Sequence, residues 1–307
     1  MKQAKKEIGH REFVFLMALL MSMTALSIDA MLPALGQIGQ SLNVQNPNDT
    51  QMVISAVFLG MAGGLLLYGP LSDSYGRKNS LYLGIGIFLV GIIISIYSTN
   101  FSFMLMGRLL QGFGSASARV VTVALIRDRF EGSEMGRMMS LILAVFIMVP
   151  AMAPSIGQGI LYVADWRAIF WFIFALGIFG GLWLNIRQPE TLTAENRRSF
   201  TFSIIYSGIK ETLKNPISRT YAIISGIIFG AFIGYLSSAQ QIFQLQYELK
   251  DSFPLYFGGL ALAIGVSSFV NSKLVMRFKM EALCQTAMII ITIVSSFFMI
   301  YMFTLEG

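Results

Sequence analysis

Residues 288–303 read MIIITIVSSFFMIYMF, and residues 54–68 read ISAVFLGMAGGLLLY. Both stretches are almost continuously apolar. A bilayer hydrocarbon core of roughly 30 Å needs about 20 apolar residues per helix, and stretches of that length recur along nearly the whole chain. A membrane β-barrel would instead show segments of about ten residues that alternate apolar and polar. The pattern therefore predicts an all-α integral membrane protein.

The composition supports this class and excludes several others. The 307 residues are 55% hydrophobic and 12% charged, and the mean hydropathy is +0.67, outside the range of a soluble domain of this length. One cysteine, Cys284, rules out a disulfide within the chain, and with the one histidine, His10, it rules out a Cys/His metal cluster. A nucleic-acid partner would need a basic face on a folded soluble domain, and none is predicted. No metal, cofactor or nucleic acid is implied.

Nine transmembrane spans are predicted. The first runs through Asp29 and Pro33 and lacks a small-residue cleavage site, so it is not interpreted as a signal peptide. Most of the 22 Lys and Arg residues fall on the tail and loops that share one side with the N-terminus, which predicts a cytoplasmic N-terminus. The spans lie near residues 12–35, 51–71, 79–98, 101–126, 136–160, 166–186, 219–242, 253–274 and 283–304.

These spans divide into two groups around one long connection. Residues 1–186 form a predicted six-helix bundle, residues 187–218 a cytoplasmic linker, and residues 219–307 a partial bundle of three helices. Apolar residues recur in the linker at helical spacing, which predicts a short interfacial helix ended by Asn215-Pro216. A faint internal repeat of about 200 residues is typical of transporters with two similar halves, so a second half would be expected to hold six helices.

The second span ends in Gly69-Pro70-Leu71-Ser72-Asp73-Ser74-Tyr75-Gly76-Arg77-Lys78. This stretch resembles the signature loop of the major facilitator superfamily, Gly-x-Leu-x-Asp-x-x-Gly-Arg-Arg/Lys, at every fixed position. The resemblance implies a cytoplasmic gating cluster of Gly69, Asp73, Gly76, Arg77 and Lys78, completed by Asp128 at the end of the fourth span. It also implies the family's twelve-helix fold, of which this sequence holds nine helices.

Two further spans carry candidate transport residues. Asp29 is the one carboxylate placed within the hydrocarbon depth, where an acid is costly and usually functional. Because burial disfavours the charged carboxylate, Asp29 could exchange a proton during transport, or it could be permanently paired or hydrated. Arg108 in the fourth span, followed by Gln111, is similar to the family's helix-four pattern and lies at a depth where it could pair with Asp29. Alternatively, Arg108 bonds backbone carbonyls. Arg119 in the same span is either structural or cavity-lining.

The fifth span contains Pro150, Pro154 and Gly157, which predict a hinge or a tight helix seam. This region resembles the superfamily's antiporter motif, although Val149, Ala153 and Gln158 stand at three of its glycine positions. The Ala-Pro-x-x-Gly form, together with Trp166-Arg167 and the quartet of residues 189–192 (Pro-Glu-Thr-Leu), resembles the Bcr/CflA-type drug:proton antiporters. An enzyme is not expected, because catalytic groups do not gather at one membrane depth.

The sequence thus predicts proton-coupled efflux of small drug-like or amphipathic compounds across the bacterial inner membrane, with the membrane lipid, the substrate and protons as partners. Two alternatives stay open: a metabolite transporter of the same fold, and a truncated remnant that does not transport. A full-length chain is expected to be a monomer. For a nine-helix chain two alternatives stay open: another chain or partner completes it, or the protein is unstable.

Overall fold

A computed structural model describes residues 8–249, 252–274 and 277–305. Helices and no strands are found in these residues, and nine helical segments among them are long and apolar enough to cross a membrane. This confirms the predicted all-α membrane fold. The α-helices are α1 (His10–Asp29), α2 (Leu35–Ser41), α3 (Met52–Tyr75), α4 (Arg77–Ile96), α5 (Phe101–Arg129), α6 (Gly132–Leu161), α7 (Trp166–Arg187), α8 (Phe202–Lys214), α9 (Pro216–Gln240), α10 (Phe253–Leu274) and α11 (Met280–Leu305).

Several helices begin where the sequence supplies a capping side chain. The Asn100 side-chain oxygen accepts the Phe103 N–H at 3.0 Å at the start of α5. Asn215 does the same for two N–H groups of α9, and Pro216 follows at the first helical position, where its missing N–H costs nothing. These caps fix where α5 and α9 begin, within a few residues of the predicted starts at 101 and 219.

The first span differs from its prediction as one uninterrupted helix. It consists of α1, a 3₁₀ turn (Leu32–Ala34) and α2. Pro33 has no N–H to donate to the Asp29 carbonyl, and its ring clashes with a continuing helix, so α1 ends at Asp29. The Met31 N–H bonds the Ile28 carbonyl at 3.3 Å instead of continuing the regular pattern. We call this interruption, residues 29–34, the helix break.

The signature stretch also differs from the predicted loop. Residues 69–75 continue α3, with Pro70 inside the helix, and Gly76 alone separates α3 from α4. Gly76 has φ +99° and ψ 154°, a conformation that is essentially restricted to glycine. The chain therefore reverses direction at Gly76. We call this end of the helices the Arg77 end, after the first residue of α4. The opposite end, at the 3₁₀ helix Pro47–Gln51, is the Pro47 end.

The core lies where α5 packs between α3 and α4. A side chain at Gly60 on α3 would overlap the Leu109 carbonyl of α5, and one at Gly112 would overlap the Val57 carbonyl of α3. The two backbones thus touch, as is usual between membrane helices with small residues at their interface. Because this contact is so close, side chains of α5 reach α1 and α3 directly.

Two compact units divide the chain. Residues 1–261 form the first, which holds α1 to α9 and the start of α10, and residues 262–307 form the second, which holds the rest of α10 and α11. In the first unit, α9 continues as a π-helix, Gln241–Gln246, at the Pro47 end. The predicted helix in the 187–218 segment is present as α8, which ends directly before the predicted stop at Asn215.

Candidate functional site

The candidate site is built around the helix break, where α5 supplies a buried arginine. Arg108 is fully buried and donates three hydrogen bonds. Its Nε bonds the Val53 carbonyl of α3 at 3.1 Å, its Nη2 the Ser27 carbonyl of α1 at 2.8 Å, and its Nη1 the Gln111 side chain at 2.7 Å. Because Met31 does not bond Ser27, the break leaves the Ser27 carbonyl free for the guanidinium. One arginine thus ties three helices together.

Gln111 extends this network. It is fully buried, and its side-chain nitrogen donates to the Ser27 hydroxyl at 3.2 Å, which in turn donates to the Met23 carbonyl at 2.7 Å. The guanidinium of Arg108 also lies over the Phe170 ring, 5.6 Å from its centroid. The side chains of Arg108 and Gln111 are therefore satisfied although they are buried, since burying an unpaired polar group is costly. The guanidinium has hydrogen-bond acceptors and an aromatic ring, and the Gln111 amide has both a donor and an acceptor.

The predicted ion pair between Asp29 and Arg108 is not formed in this structure. Among the described residues, no cationic nitrogen lies within 4.0 Å of the Asp29 carboxylate. The guanidinium instead satisfies backbone carbonyls, the alternative that the sequence left open. The physical reason is the helix break, which offers Arg108 a free carbonyl two residues before Asp29. Asp29 itself is 4% exposed.

The second group of polar residues near Asp29 comes from α9. α9 packs against the 3₁₀ turn of the helix break, and the Tyr235 hydroxyl of α9 is buried without a hydrogen-bond partner. The Ser237 hydroxyl, two residues later, is likewise buried and unpartnered. An acid at the helix break and two hydroxyls on α9, the helix packed against it, therefore lack the hydrogen-bond partners that buried polar groups normally have.

The hinge residues of the fifth span lie on α6, which packs against the same break. Pro150 and Pro154 are inside α6. A side chain at Gly157 would overlap the Ala30 carbonyl oxygen, next to Asp29. This contact makes Gly157 part of a tight seam with α1, one of the two predicted alternatives.

At the Arg77 end, the structure brings together the residues that the signature motif implies. Arg77 is 8% exposed, and its Nε donates to the Asp128 carboxylate at 2.9 Å. Its Nη1 donates to the Ser72 hydroxyl at 2.9 Å and also to the Asp73 carboxylate. We call Ser72, Asp73, Arg77 and Asp128 the Arg77 cluster. Gly69, predicted with this cluster, lies in α3 and accepts a bond from Ser72.

Glu190 also belongs to this region, in a role that no sequence motif predicted. Its carboxylate accepts the backbone N–H groups of Arg77 and Lys78, each at 3.0 Å. These are the first N–H groups of α4, which Gly76, having no side chain, cannot cap. A carboxylate here also meets the positive end of the helix dipole. The available signal was the acid in the Pro-Glu-Thr-Leu quartet, combined with a helix whose N-cap is glycine.

Two other residues of the Pro-Glu-Thr-Leu quartet also hold this segment in place. The same carboxylate accepts the N–H groups of Thr191 and Leu192 at 3.0 and 3.1 Å. The Thr191 hydroxyl donates to Asp128 at 2.7 Å. The segment that follows α7 is thereby bound both to the start of α4 and to the Arg77 cluster. The Lys78 side chain adds a contact between α4 and α7, because its amine donates to the Asn185 carbonyl at 2.9 Å.

The Pro47 end carries a second polar connection. Gln241, the first residue of the π-helix, donates to the Asn48 side chain at 3.0 Å and to the Pro47 carbonyl at 3.3 Å. Its side-chain oxygen accepts a hydrogen bond from Gln51. We call Gln241, Pro47, Asn48 and Gln51 the amide clasp. It links the end of α9 to the connection between α2 and α3.

A bundle of apolar helices with a broken first helix, a buried arginine and paired charges at one end is characteristic of membrane transporters. The family model described as Major Facilitator Superfamily matches residues 14–306, and the chain belongs to this family. It is therefore a multi-pass membrane protein from a family of transporters rather than of enzymes, as the sequence predicted.

Curated relatives agree with this assignment. The chain is 29% identical over 262 residues to the uncharacterized MFS-type transporter YdgK of Bacillus subtilis (strain 168), covering 84% of this chain and 65% of that protein. It is 28% identical over 285 residues to the bicyclomycin resistance protein homolog of Haemophilus influenzae, covering 91% and 70%. It is 28% identical over 244 residues to the multidrug resistance protein MdtL of Klebsiella pneumoniae (strain 342), covering 80% and 61%. The chain thus spans 61% to 70% of the length of these relatives.

Two solved structures share the fold. The human organic anion transporter MFSD10 (TETRAN) superimposes with a TM-score of 0.60 at 14% identity, covering 84% of this chain and 71% of that chain. A D-xylose-proton symporter superimposes with a TM-score of 0.64 at 14% identity, covering 87% and 69%. At this identity the likeness concerns the fold alone. The resemblance to the Bcr/CflA type and to the superfamily is confirmed by the family match and by the curated relatives.

Proposed function

We propose that this chain acts in proton-coupled efflux of small drug-like or amphipathic compounds across the bacterial inner membrane. The observation that carries the proposal is Asp29: a carboxylate that is 4% exposed, at a break in a membrane helix, without a cationic partner within 4.0 Å among the described residues. An unpaired acid in low dielectric favours the protonated form, whereas an acid that reaches water releases its proton. Such a group can carry a proton between the two sides.

The position of Asp29 couples that proton to the rest of the site. Arg108 holds the carbonyl of Ser27 two residues away, and Gly157 of α6 touches the backbone of Ala30 on the other side of Asp29. A movement of α5 or α6 therefore changes the surroundings of the carboxylate. The unpartnered Tyr235 hydroxyl adds a hydrogen-bonding group from α9, which packs against the helix break, so a substrate bound there would lie near the proton carrier.

Alternating access requires each end of the protein to open in turn. In our proposal the Arg77 cluster, with Gly69, Gly76 and Lys78, controls the end that faces the cytoplasm, and the amide clasp controls the opposite end. The N-terminus lies in the cytoplasm, which is supported by the predominance of Lys and Arg on the segments that share its side. We retain residues 1–186, 187–218 and 219–307 as the proposed six-helix bundle, linker and second bundle. The relatives named for bicyclomycin and multidrug resistance support export of drug-like compounds.

A transport assay tests the proton-carrier role. The purified chain is reconstituted into liposomes that contain the pH indicator pyranine, a pH gradient is imposed, and ethidium, bicyclomycin or dansylglycine is added as a cationic, neutral or anionic probe. We expect at least one probe to accelerate proton movement with the wild-type chain. Asp29→Asn, which keeps the shape but cannot ionise, should abolish that acceleration.

The control is Glu195→Gln, which removes an exposed carboxylate from a short 3₁₀ turn in the linker and should leave the signal unchanged. Proton movement that is stimulated equally in wild type and in Asp29→Asn would refute the role of Asp29. A wild-type chain that responds to no probe in this panel would count against drug efflux as the function.

A further inference from the structure

Helix α8 has an apolar face that no described part of the chain covers. Five apolar side chains fall within an arc of about 100° around the helix, at 100° per residue. They are Phe202, Ile205, Tyr206, Ile209 and Leu213, and one further apolar residue, Ile204, lies outside the arc. No residue of α8 is buried, and Phe202 and Leu213 are 72% and 56% exposed. An exposed stripe of this kind marks an interaction surface.

Both ends of α8 are attached to ends of membrane-crossing helices. Shortly before α8, the Arg198 N–H donates to the Asp73 carbonyl of α3 at 3.1 Å. The Phe200 ring lies 6.4 Å from the ring of Tyr75, the last residue of α3. After α8, the membrane-crossing segment that contains α9 begins at Pro216.

These attachments place α8 along the membrane surface. The segment that contains α9 reaches the amide clasp at the Pro47 end, so its start lies at the Arg77 end, where α3 also finishes. The 13 residues of α8, about 20 Å in length, therefore connect two points at the same end of the helices. A helix tied in this way runs along the bilayer surface, and its apolar face can reach the acyl chains.

Cationic side chains border the apolar face. Lys210 and Lys214 lie about 40° and 80° beyond the edge of the arc that Tyr206 forms. The Lys210 amine is 5.8 Å from the centroid of the Tyr206 ring, which keeps this charge beside the apolar arc. Residues 197–219 hold five Lys or Arg residues and one acid, Glu211. The charge of this segment therefore favours an anionic partner.

The two lysines also lack a counter-charge within the protein. They are one helical turn apart, where like charges repel. Neither forms an ion pair with a carboxylate of the residues that the structure describes. An anion bound between them would offset the repulsion, and at the edge of a face that lies on the bilayer this anion is a lipid phosphate.

We propose that α8 lies in the headgroup layer at the Arg77 end, and that Lys210 and Lys214 bind the phosphate of an anionic phospholipid of the phosphatidylglycerol type. The apolar arc faces the acyl chains, and the two amines extend to the level of the phosphates. Phosphatidylcholine binds less well, because its own ammonium group neutralises its phosphate. The segment between α7 and α9 is thereby a lipid-binding surface, a role that goes beyond the proposed transport function.

Native mass spectrometry tests the choice of lipid. The full chain is equilibrated in detergent micelles that contain equal amounts of phosphatidylglycerol and phosphatidylcholine, and the lipids that it retains are counted. We expect the wild-type chain to retain more phosphatidylglycerol. The Lys210→Gln/Lys214→Gln double variant should lower the ratio of the two lipids by roughly fivefold or more, the contribution of one cation near an anionic surface.

Two further double variants assign the preference to α8. Lys210→Arg/Lys214→Arg keeps both charges in place and should keep the ratio. Arg277→Gln/Lys279→Gln is the matched control, because it removes the same charge from two exposed residues between α10 and α11, where no amphipathic helix holds them. This control should leave the ratio unchanged.

Spin labelling tests the orientation of α8. In a Cys284→Ala background, which removes the exposed native thiol, a nitroxide is attached at Ile209→Cys within the apolar arc or at Ser207→Cys on the opposite face. The chain is placed, one copy per disc, in nanodiscs of both lipids. Oxygen, which concentrates in hydrocarbon, should relax the label at residue 209, and a neutral nickel chelate in water should relax the label at residue 207.

Three results would overturn the lipid surface. The first is a wild-type chain that retains no more phosphatidylglycerol than phosphatidylcholine. The second is a Lys210→Gln/Lys214→Gln variant whose ratio falls no further than that of the matched control. The third is a label at residue 209 that the nickel chelate reaches as readily as the label at residue 207, or that is shielded only when two copies share a disc, since a second copy would then cover the face. Neither measurement involves transport, so the result of the Asp29 assay stands apart from this inference.

Discussion

Gly76 is the residue at which a single added methyl group should have the largest predictable effect. Gly76→Ala places a Cβ in a backbone conformation, φ +99° and ψ 154°, that costs an L-residue about 1–3 kcal/mol. The same Cβ would lie 2.6 Å from the Glu190 carboxylate oxygen, so the carboxylate must move away from the start of α4. Loss of a helix cap costs about 0.5–2 kcal/mol. Together we expect a destabilisation of roughly 2–4 kcal/mol.

The measurement is the free energy of unfolding in mixed detergent micelles titrated with dodecyl sulfate, followed by tryptophan fluorescence. The reporters are Trp166, Trp171 and Trp183, all on α7. Gly86→Ala is the control, since Gly86 lies within the adjoining helix α4 and a Cβ there would meet no atom within 4 Å. We expect the control to be at least as stable as the wild type.

Either of two outcomes would refute this reasoning. If Gly76→Ala were as stable as Gly86→Ala, neither the backbone conformation nor the Glu190 cap could have the assigned energy. If Glu190→Gln and Gly76→Ala were additive in the double variant, the two residues would not be coupled through the cap, because changes that remove one shared interaction are non-additive.

Three further predictions follow from the contacts at the site. Arg108→Lys should lower the melting temperature by several degrees, because an ammonium cannot reproduce the three directed bonds of the guanidinium; an unchanged temperature would contradict the network. Gly157→Ala should slow transport, since its Cβ overlaps a carbonyl at the helix break; wild-type rates would show that the seam is loose. Gln241→Ala, which opens the amide clasp, should speed maleimide labelling of a Ser237→Cys probe in a Cys284→Ala background severalfold, and an unaltered labelling rate would exclude the clasp as a gate.

Much of the fold follows from hydropathy, because the bilayer imposes one length and one type of element. The spans near 101–126 and 166–186 correspond to α5 and α7 within a few residues. The signature motif likewise predicted which residues meet in the Arg77 cluster, although it predicted a loop where α3 continues to Tyr75. At a membrane surface, the end of a helix and a short loop are built from the same small and polar residues. The composition of residues 69–75 therefore does not show whether they are helical.

The contacts within the candidate site could be predicted less well, because they depend on the three-dimensional packing of the helices. Depth along the helices placed Asp29 and Arg108 near each other, but depth does not specify which way a side chain turns. The helix break frees the Ser27 carbonyl, and that carbonyl, rather than the carboxylate, receives the guanidinium. Glu190 shows the same limitation, because it caps α4 from 113 residues away in the sequence. A contact across such a distance leaves no local pattern.

The sequence by itself determined that this chain is a helical membrane protein, how many spans it has in its described part, and which residues are too polar to be there without a reason. Those features depend on the free energy of transferring each side chain from water into the hydrocarbon core, and that free energy is set by the residue type alone. The tertiary structure decided the partners: backbone carbonyls for Arg108 and the Glu190 carboxylate for the start of α4. Partners depend on which helices pack together and at which rotation, and that is settled only when the small residues of α3 and α5 bring the backbones into contact.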